Sequence, residues 1–394
     1  MTRGGRPAIL LGAVLGLVAA VAVVAWRGRG PTGARPEPVA TTLLGEASGA
    51  IGAVVMHYVP KLEALVEPSY TDFLRAIAPD VHVVIVMARD GSGSDRGKLD
   101  AFIRRIDPSG ALAARVQVVQ AEGPISTWSK DRALVTAAPA DGRPASLIEP
   151  AEPRKDWTER HNDWLTVPEI ARASAGRFAA KVAPLDFDAG DFMVDQGRVI
   201  VDTNLLDKNR HRGVADVADL GRRVGAYFRM PVSVLGREFG DTPRHHLAMY
   251  MTTLDPGVVL VGDPAAARRL LGETWKPGDP SGDTGDPLAA DFSAEMIARF
   301  DRAAGEMRRL GYRVERVVNV PLDDKTYVSY TNGVFETRGG RKIAYVPLYG
   351  FYAIDSAARA AYERLGWEVV PIRVRSVYPH HGTIGCLVNV LSRK

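Results

Sequence analysis

The sequence holds one cysteine, Cys386, in 394 residues. An internal disulfide is therefore excluded, and 46% hydrophobic content makes staples unnecessary for a core. Three uses of the thiol remain open: a small buried hydrophobe, an intermolecular link, or a nucleophile. His-Glu-x-x-His and Cys-x-x-Cys are both missing, which removes two common metal-binding signatures. The adjacent pairs His245-His246 and His380-His381 are poor substitutes, because neighbours on a strand point to opposite faces. No metal and no other cofactor is expected. Asp279, Asp283 and Asp286 lack the spacing of a calcium loop.

Excess charge is also missing from most of the chain. The formal net charge is +4. Residues 1–37 carry all of it, through Arg3, Arg6, Arg27, Arg29 and Arg35 against Glu37. The rest sums to zero, so the composition offers no basic face for nucleic acid. Long apolar runs are absent but for Ala8–Trp26, AILLGAVLGLVAAVAVVAW, which carries no charge. As a helix it would reach roughly 28 Å, close to a bilayer's hydrocarbon thickness. Residues 1–26 are expected to be a signal-anchor or a signal peptide, with a buried helix as the alternative. Residues 27–45 read as a Pro/Gly/Arg linker and 46–394 as one α/β domain. The expected location is the cell envelope, membrane-anchored or exported.

What the domain does contain is a loose internal repeat. Five times an amphipathic helical stretch leads to a Val-rich strand, a polar loop and a hairpin-like pair. Ile297, Phe300, Ala304, Met307 and Leu310 show the helical spacing. Asp195-Gln196-Gly197, Asp255-Pro256-Gly257 and Gly339-Gly340 mark turns between β-branched runs. Asp131, Asp188, His246 and Cys386 each fall roughly ten residues past a Val-rich strand. Repeats set around an axis would bring all four to one end.

These residues sit in blocks that resemble the bacterial-type peptidyl-arginine deiminase and agmatine deiminase family, within the guanidino-group-modifying pentein superfamily. Trp128-Ser129-Lys130-Asp131 is similar to that family's Trp-x-Arg-Asp. Phe187-Asp188-Ala189-Gly190-Asp191 is similar to its Glu-Gly-Gly block, and His245-His246-Leu247-Ala248 to its His-x-Asp. Gly382-Thr383-Ile384-Gly385-Cys386 resembles its terminal Gly-rich segment ending in His-Cys. Residues 204–210, 330–336 and 345–350 add support. The departures are Lys130 for Arg, Asp188 for Glu, Ala248 for Asp and Gly385 for His.

The resemblance implies a five-bladed α/β propeller of ββαβ repeats, preceded here by the N-terminal apolar helix. It implies a deiminase acting on a guanidino group in peptidyl-arginine, agmatine or an arginine derivative. An amidinotransferase, or an inactive propeller that binds guanidines or peptides, is the alternative. The chemistry asks for carboxylates that grip guanidinium N–H edges, a thiolate that attacks the carbon, and an acid/base that serves leaving amine and water. Asp131 and Asp188 suit the grip, Cys386 the attack and His246 the proton transfers, since imidazole ordinarily titrates near neutrality. Trp128 and Asn332 are candidate substrate-side residues, with packing and loop ordering as their other reading, shared by Tyr330.

Overall fold

The computed structural model describes residues 37–88, 95–153, 158–272 and 288–394. The apolar run Ala8–Trp26 and the acidic insertion 273–287 lie outside the described residues. Pro38–Lys394 forms one compact unit, distinct from Met1–Glu37. Among the described residues no helix is long and apolar enough to cross a membrane.

Among the described residues the strands build five sheets. β1 (Ile51–Tyr58), β2 (His82–Met87) and β3 (Val116–Gln120) form most of the first. β4 (Leu134–Val135), β5 (Ala145–Glu149) and β6 (Phe178–Val182) form the second. β7 (Met193–Asp195), β8 (Arg198–Asp202) and β9 (Val232–Leu235) form the third. The fourth holds β10 (Met251–Thr253), β11 (Val258–Asp263), β12 (Arg313–Pro321) and β13 (Tyr327–Ser329). The fifth holds β14 (Val334–Arg338), β15 (Arg341–Leu348) and β16 (Glu368–Arg373). In sheets two to five an antiparallel pair comes first, and a helical crossover then returns a parallel strand. Parallel partners require such a crossover, which is why a helix precedes each returning strand.

The last strand, β17 (Val388–Arg393), does not stay with sheet five. It pairs antiparallel with β1 and so completes the first sheet. The two ends of the domain are thereby stitched together, and Cys386 is carried to the start of that seam. All eight residues of β1 are buried, as expected for a strand covered on both faces. Each Val or Ile fully buried there contributes about 1.5–3 kcal/mol over exposure.

Two-residue turns close β7/β8 and β14/β15. Gln196 and Gly197 both have positive φ, as do Gly339 and Gly340, the mirror-image geometry that matches strand twist. The apolar spacing around Ile297–Leu310 is partly realised. Phe300, Ala304 and Met307 are buried, but the helix ends at Arg309 and Leu310 is 40% exposed. The left-handed Gly311 turns the chain away before a further residue of that face can be placed.

Candidate active site

Asp131 ends a loop tied to the C-terminal seam. Ser129 donates its hydroxyl to the Leu387 carbonyl at 2.7 Å and to the Val55 carbonyl at 3.1 Å. The Lys130 amide donates to the Cys386 carbonyl at 3.2 Å. The Lys130 ammonium points away and pairs with Glu46 at 3.2 Å. Exchanging Arg for Lys at this position therefore does not reach the cavity.

Asp188 caps a single 3-10 turn, Ala189–Asp191, whose capping box fixes Asp188 and Asp191 to each other. Lys208 reaches both from the helix Thr203–Asn209, at 2.8 Å to Asp188 and 2.6 Å to Asp191. Asn204, one turn earlier on that helix, donates to the Pro243 and His245 carbonyls. The 204–210 block thus holds two site loops in register.

His246 follows His245, which has φ 125 and accepts the His246 amide on Nδ1 at 2.7 Å. His246 sets Nε2 3.2 Å from Asp188 Oδ2 and Nδ1 3.9 Å from Asp131 Oδ1. Its Nδ1 is buried with no hydrogen-bond partner among the described residues. The ring fits because residue 190 is glycine; a Cβ there would meet Nδ1 at 2.8 Å.

Cys386 lies in the one-turn helix Ile384–Leu387. Asn332 donates from Nδ2 to its Sγ at 3.0 Å and approaches the Met249 sulfur at 2.9 Å. The Gly385 amide and the Thr383 hydroxyl both donate to the Asn332 carbonyl. At Gly385 an added Cβ would stand 2.1 Å from Asn332 Oδ1 and 2.9 Å from its carbonyl oxygen. The side-chain amide of Asn332 fills the volume that any side chain at 385 would need.

Trp128, Asp131, Asp188, His246 and Cys386 line one cavity of about 500 Å³. Asn332 touches the thiol but does not line the cavity. Tyr330 is fully buried and donates to Asp355, a packing position. Ala248 sits on the turn after His246 and accepts from the Thr331 hydroxyl through its carbonyl, and it does not line the cavity either. His245, His380 and His381 do line it, with His381 Nδ1 and the Thr326 hydroxyl 2.8 Å apart.

Two cations absent from the motif reading, Arg132 and Arg160, join Lys208 of the 204–210 block around the carboxylates. Arg160 Nη2 lies 2.5 Å from Asp131 Oδ2 and 3.7 Å from Asp188 Oδ1. Arg132 contacts Asp188, and Lys208 holds its other oxygen. Burial pushes the Asp131 carboxyl up, but the charges of Arg160, His246 and Arg132 outweigh it and hold it well below the usual range. His245 is lowered as well, but by its surroundings disfavouring its charged form: burial, then the charges of His246 and Lys208, press it well below the ordinary histidine value. The sole sequence signal for Arg132 was its place beside Asp131, and Arg160 belongs to no motif.

Donor atoms of Asp131, Asp188 and His246 lie within 4.8 Å of one another, the reach of a metal ligand set. Arg160 and Lys208 already take up carboxylate oxygens that a cation would need.

A buried acid beside the site supplies a stability test. Asp202 accepts from the Tyr250 hydroxyl at 2.6 Å and from the Asn204 amide and side chain. Burial raises its pKa from 3.8 to about 6, against those hydrogen bonds. A raised acid binds its proton more tightly in the folded state, so stability falls as pH rises from about 4 to about 6. The expected loss is on the order of 3 kcal/mol. Urea denaturation across that window should show it, with a flatter profile for Asp202→Asn. An unchanged profile in the variant would remove Asp202 as the source.

No family model matches the chain, and no curated protein matches it in sequence. Solved structures do match in fold. The agmatine deiminase of C. jejuni superposes with a TM-score of 0.61 at 13% identity, over 90% of this chain and 97% of that one. The agmatine deiminase of Enterococcus faecalis gives 0.61 at 15% identity, over 91% and 99%. The chain therefore has the mixed α/β fold of these agmatine deiminases. Its motif resemblance to the agmatine and peptidyl-arginine deiminases holds at the level of that fold.

Proposed function

We propose that the protein is a cysteine-dependent hydrolase of a guanidino group, releasing ammonia. One observation carries the reading: Cys386, His246, Asp131 and Asp188, far apart in sequence, line a single cavity. In this scheme the Cys386 thiolate attacks the guanidino carbon and forms a C–S bond. The C–N bond to one amino group breaks, and His246 hands that nitrogen a proton, so ammonia leaves. A thiouronium remains on the enzyme. Water then adds, giving a proton to His246 as base, and the sulfur departs. The products are a ureido compound, ammonia and free enzyme. Asp131 and Asp188 hold the cationic group in plane against the thiol. Agmatine, arginine derivatives and peptidyl-arginine are the candidate substrates. The five sheets are read as blades of a propeller around the cavity, and Ala8–Trp26 as an anchor or export signal at the envelope.

The carboxylates' own cationic partners favour a second reading, a guanidine-binding protein without turnover. Ammonia and ureido-product release from agmatine, arginine and arginyl peptides separates the two. The hydrolase is expected to release both products in equal amounts from at least one of them. Binding without release across the panel would leave the second reading standing.

A further inference from the structure

The slot that the proposed function gives to a substrate is not empty. A guanidinium of the protein already lies in it. Arg160, on the short helix Thr158–Asp163, is 4% exposed. Its Nη2 stands 2.5 Å from Asp131 and 3.7 Å from Asp188, the two carboxylates meant for the substrate. Asp188 has no room to compensate, since Lys208, His246 and Arg132 crowd its oxygens. An incoming guanidinium can gain its planar, two-bond grip on Asp131 only by taking Arg160's place.

Arg160 has somewhere to go. Its Nη1 is 3.4 Å from Asp163 Oδ2, three positions on in the same helix, and 3.4 Å from the Ser126 hydroxyl. Asp163 is fully buried and pinned by the Ser126 amide at 2.8 Å and the Ser126 hydroxyl at 2.6 Å. A modest side-chain shift would move Arg160 from Asp131 onto Asp163 without stranding a buried charge. That matters because breaking a buried pair outright is strongly unfavourable, whereas exchanging partners is not.

We propose that Arg160 is the specificity-determining competitor of this site: its guanidinium holds Asp131 until a substrate guanidinium displaces it onto Asp163. The proposal rests on the guanidino reading above and adds its selectivity. A ligand must outcompete a tethered guanidinium for Asp131. A planar group that offers two parallel N–H bonds does so, and a compact ammonium, a strongly hydrated point charge, does not.

Ligand-observed NMR titration of the full-length protein with methylguanidinium tests this, with methylammonium as the control cation. Arg160→Ala is expected to bind methylguanidinium at least tenfold more tightly than wild type, because the competitor is gone. Arg160→Gln, close in shape and without the charge, should shift the same way and serves if the alanine variant melts early. Asp163→Asn should bind several-fold more weakly, since Arg160 loses its second partner. Methylammonium should bind wild type weakly or not at all and gain at least as much in Arg160→Ala and Arg160→Gln, so that selectivity for methylguanidinium narrows when the competitor is removed. Equal or weaker methylguanidinium binding by folded Arg160→Ala and Arg160→Gln, with wild type binding normally, overturns the exchange alone. Failure of wild type and every variant to bind methylguanidinium overturns the guanidino reading, and the exchange with it.

Discussion

Replacing Cys386 by alanine is expected to lower kcat on the order of 10⁴-fold or more while leaving a folded protein. The residue is small, 5% exposed and packed in a one-turn helix, so alanine removes little volume. The structural cost is the Asn332 Nδ2 contact to sulfur, whose loss strands one buried donor at about 1–3 kcal/mol. The melting temperature should fall modestly and the rate collapse. Cys386→Ser sharpens the comparison. A hydroxyl can still accept from Asn332, so stability should recover, but it is a far weaker nucleophile than a thiolate and turnover should stay lost. Near-wild-type turnover in either variant would mean the thiol is a packing residue.

Gly385→Ala should be the most damaging single-methyl change near the site, costing about 3 kcal/mol or more as an overpacked position with nowhere to relax. The added Cβ meets the Asn332 side chain at 2.1 Å and its backbone oxygen at 2.9 Å. Moving the side chain alone does not solve this, because the backbone oxygen is held by the Thr383 hydroxyl and the Gly385 amide. Either β13's trailing loop or the Cys386 helix must shift, and both carry the thiol's surroundings. Thermal melting and kcat should fall together, and Gly385→His should be worse than alanine. A Gly385→Ala protein that melts and turns over like wild type would show that Asn332 does not fill this space. The glycine that breaks the family pattern is thus matched to Asn332.

Much of this was readable in advance, and the boundary is physical. Hairpins at Gln196-Gly197 and Gly339-Gly340 were legible because turn chemistry is local. That Asp131, Asp188, His246 and Cys386 are polar residues in the loops after Val-rich strands was legible locally, and the structure brings all four to the lining of one cavity. The pairing of β17 with β1 was not, since no local pattern encodes a contact between sequence ends. Nor were Arg132 and Arg160. A buried arginine is tolerated only with acids around it, and those acids come from other loops: Asp131, Asp188 and, on its own helix, Asp163. Ala248 shows the converse. The motif points to it as a missing guanidinium ligand, yet it presents its carbonyl to Thr331 and lies off the cavity lining.

A cavity that brings an amidine to Cys386 should react selectively with an amidine carrying a leaving group. Intact-mass and peptide mass spectrometry after 2-chloroacetamidine treatment reads this cleanly, because the chain has one cysteine. The predicted result is a single adduct on Cys386, formed at least tenfold faster than with neutral 2-chloroacetamide after correction for each reagent's rate with a free thiol, and slowed in Asp131→Asn. Equal corrected rates for the two reagents, or no adduct on Cys386, would contradict a thiol poised for guanidino chemistry.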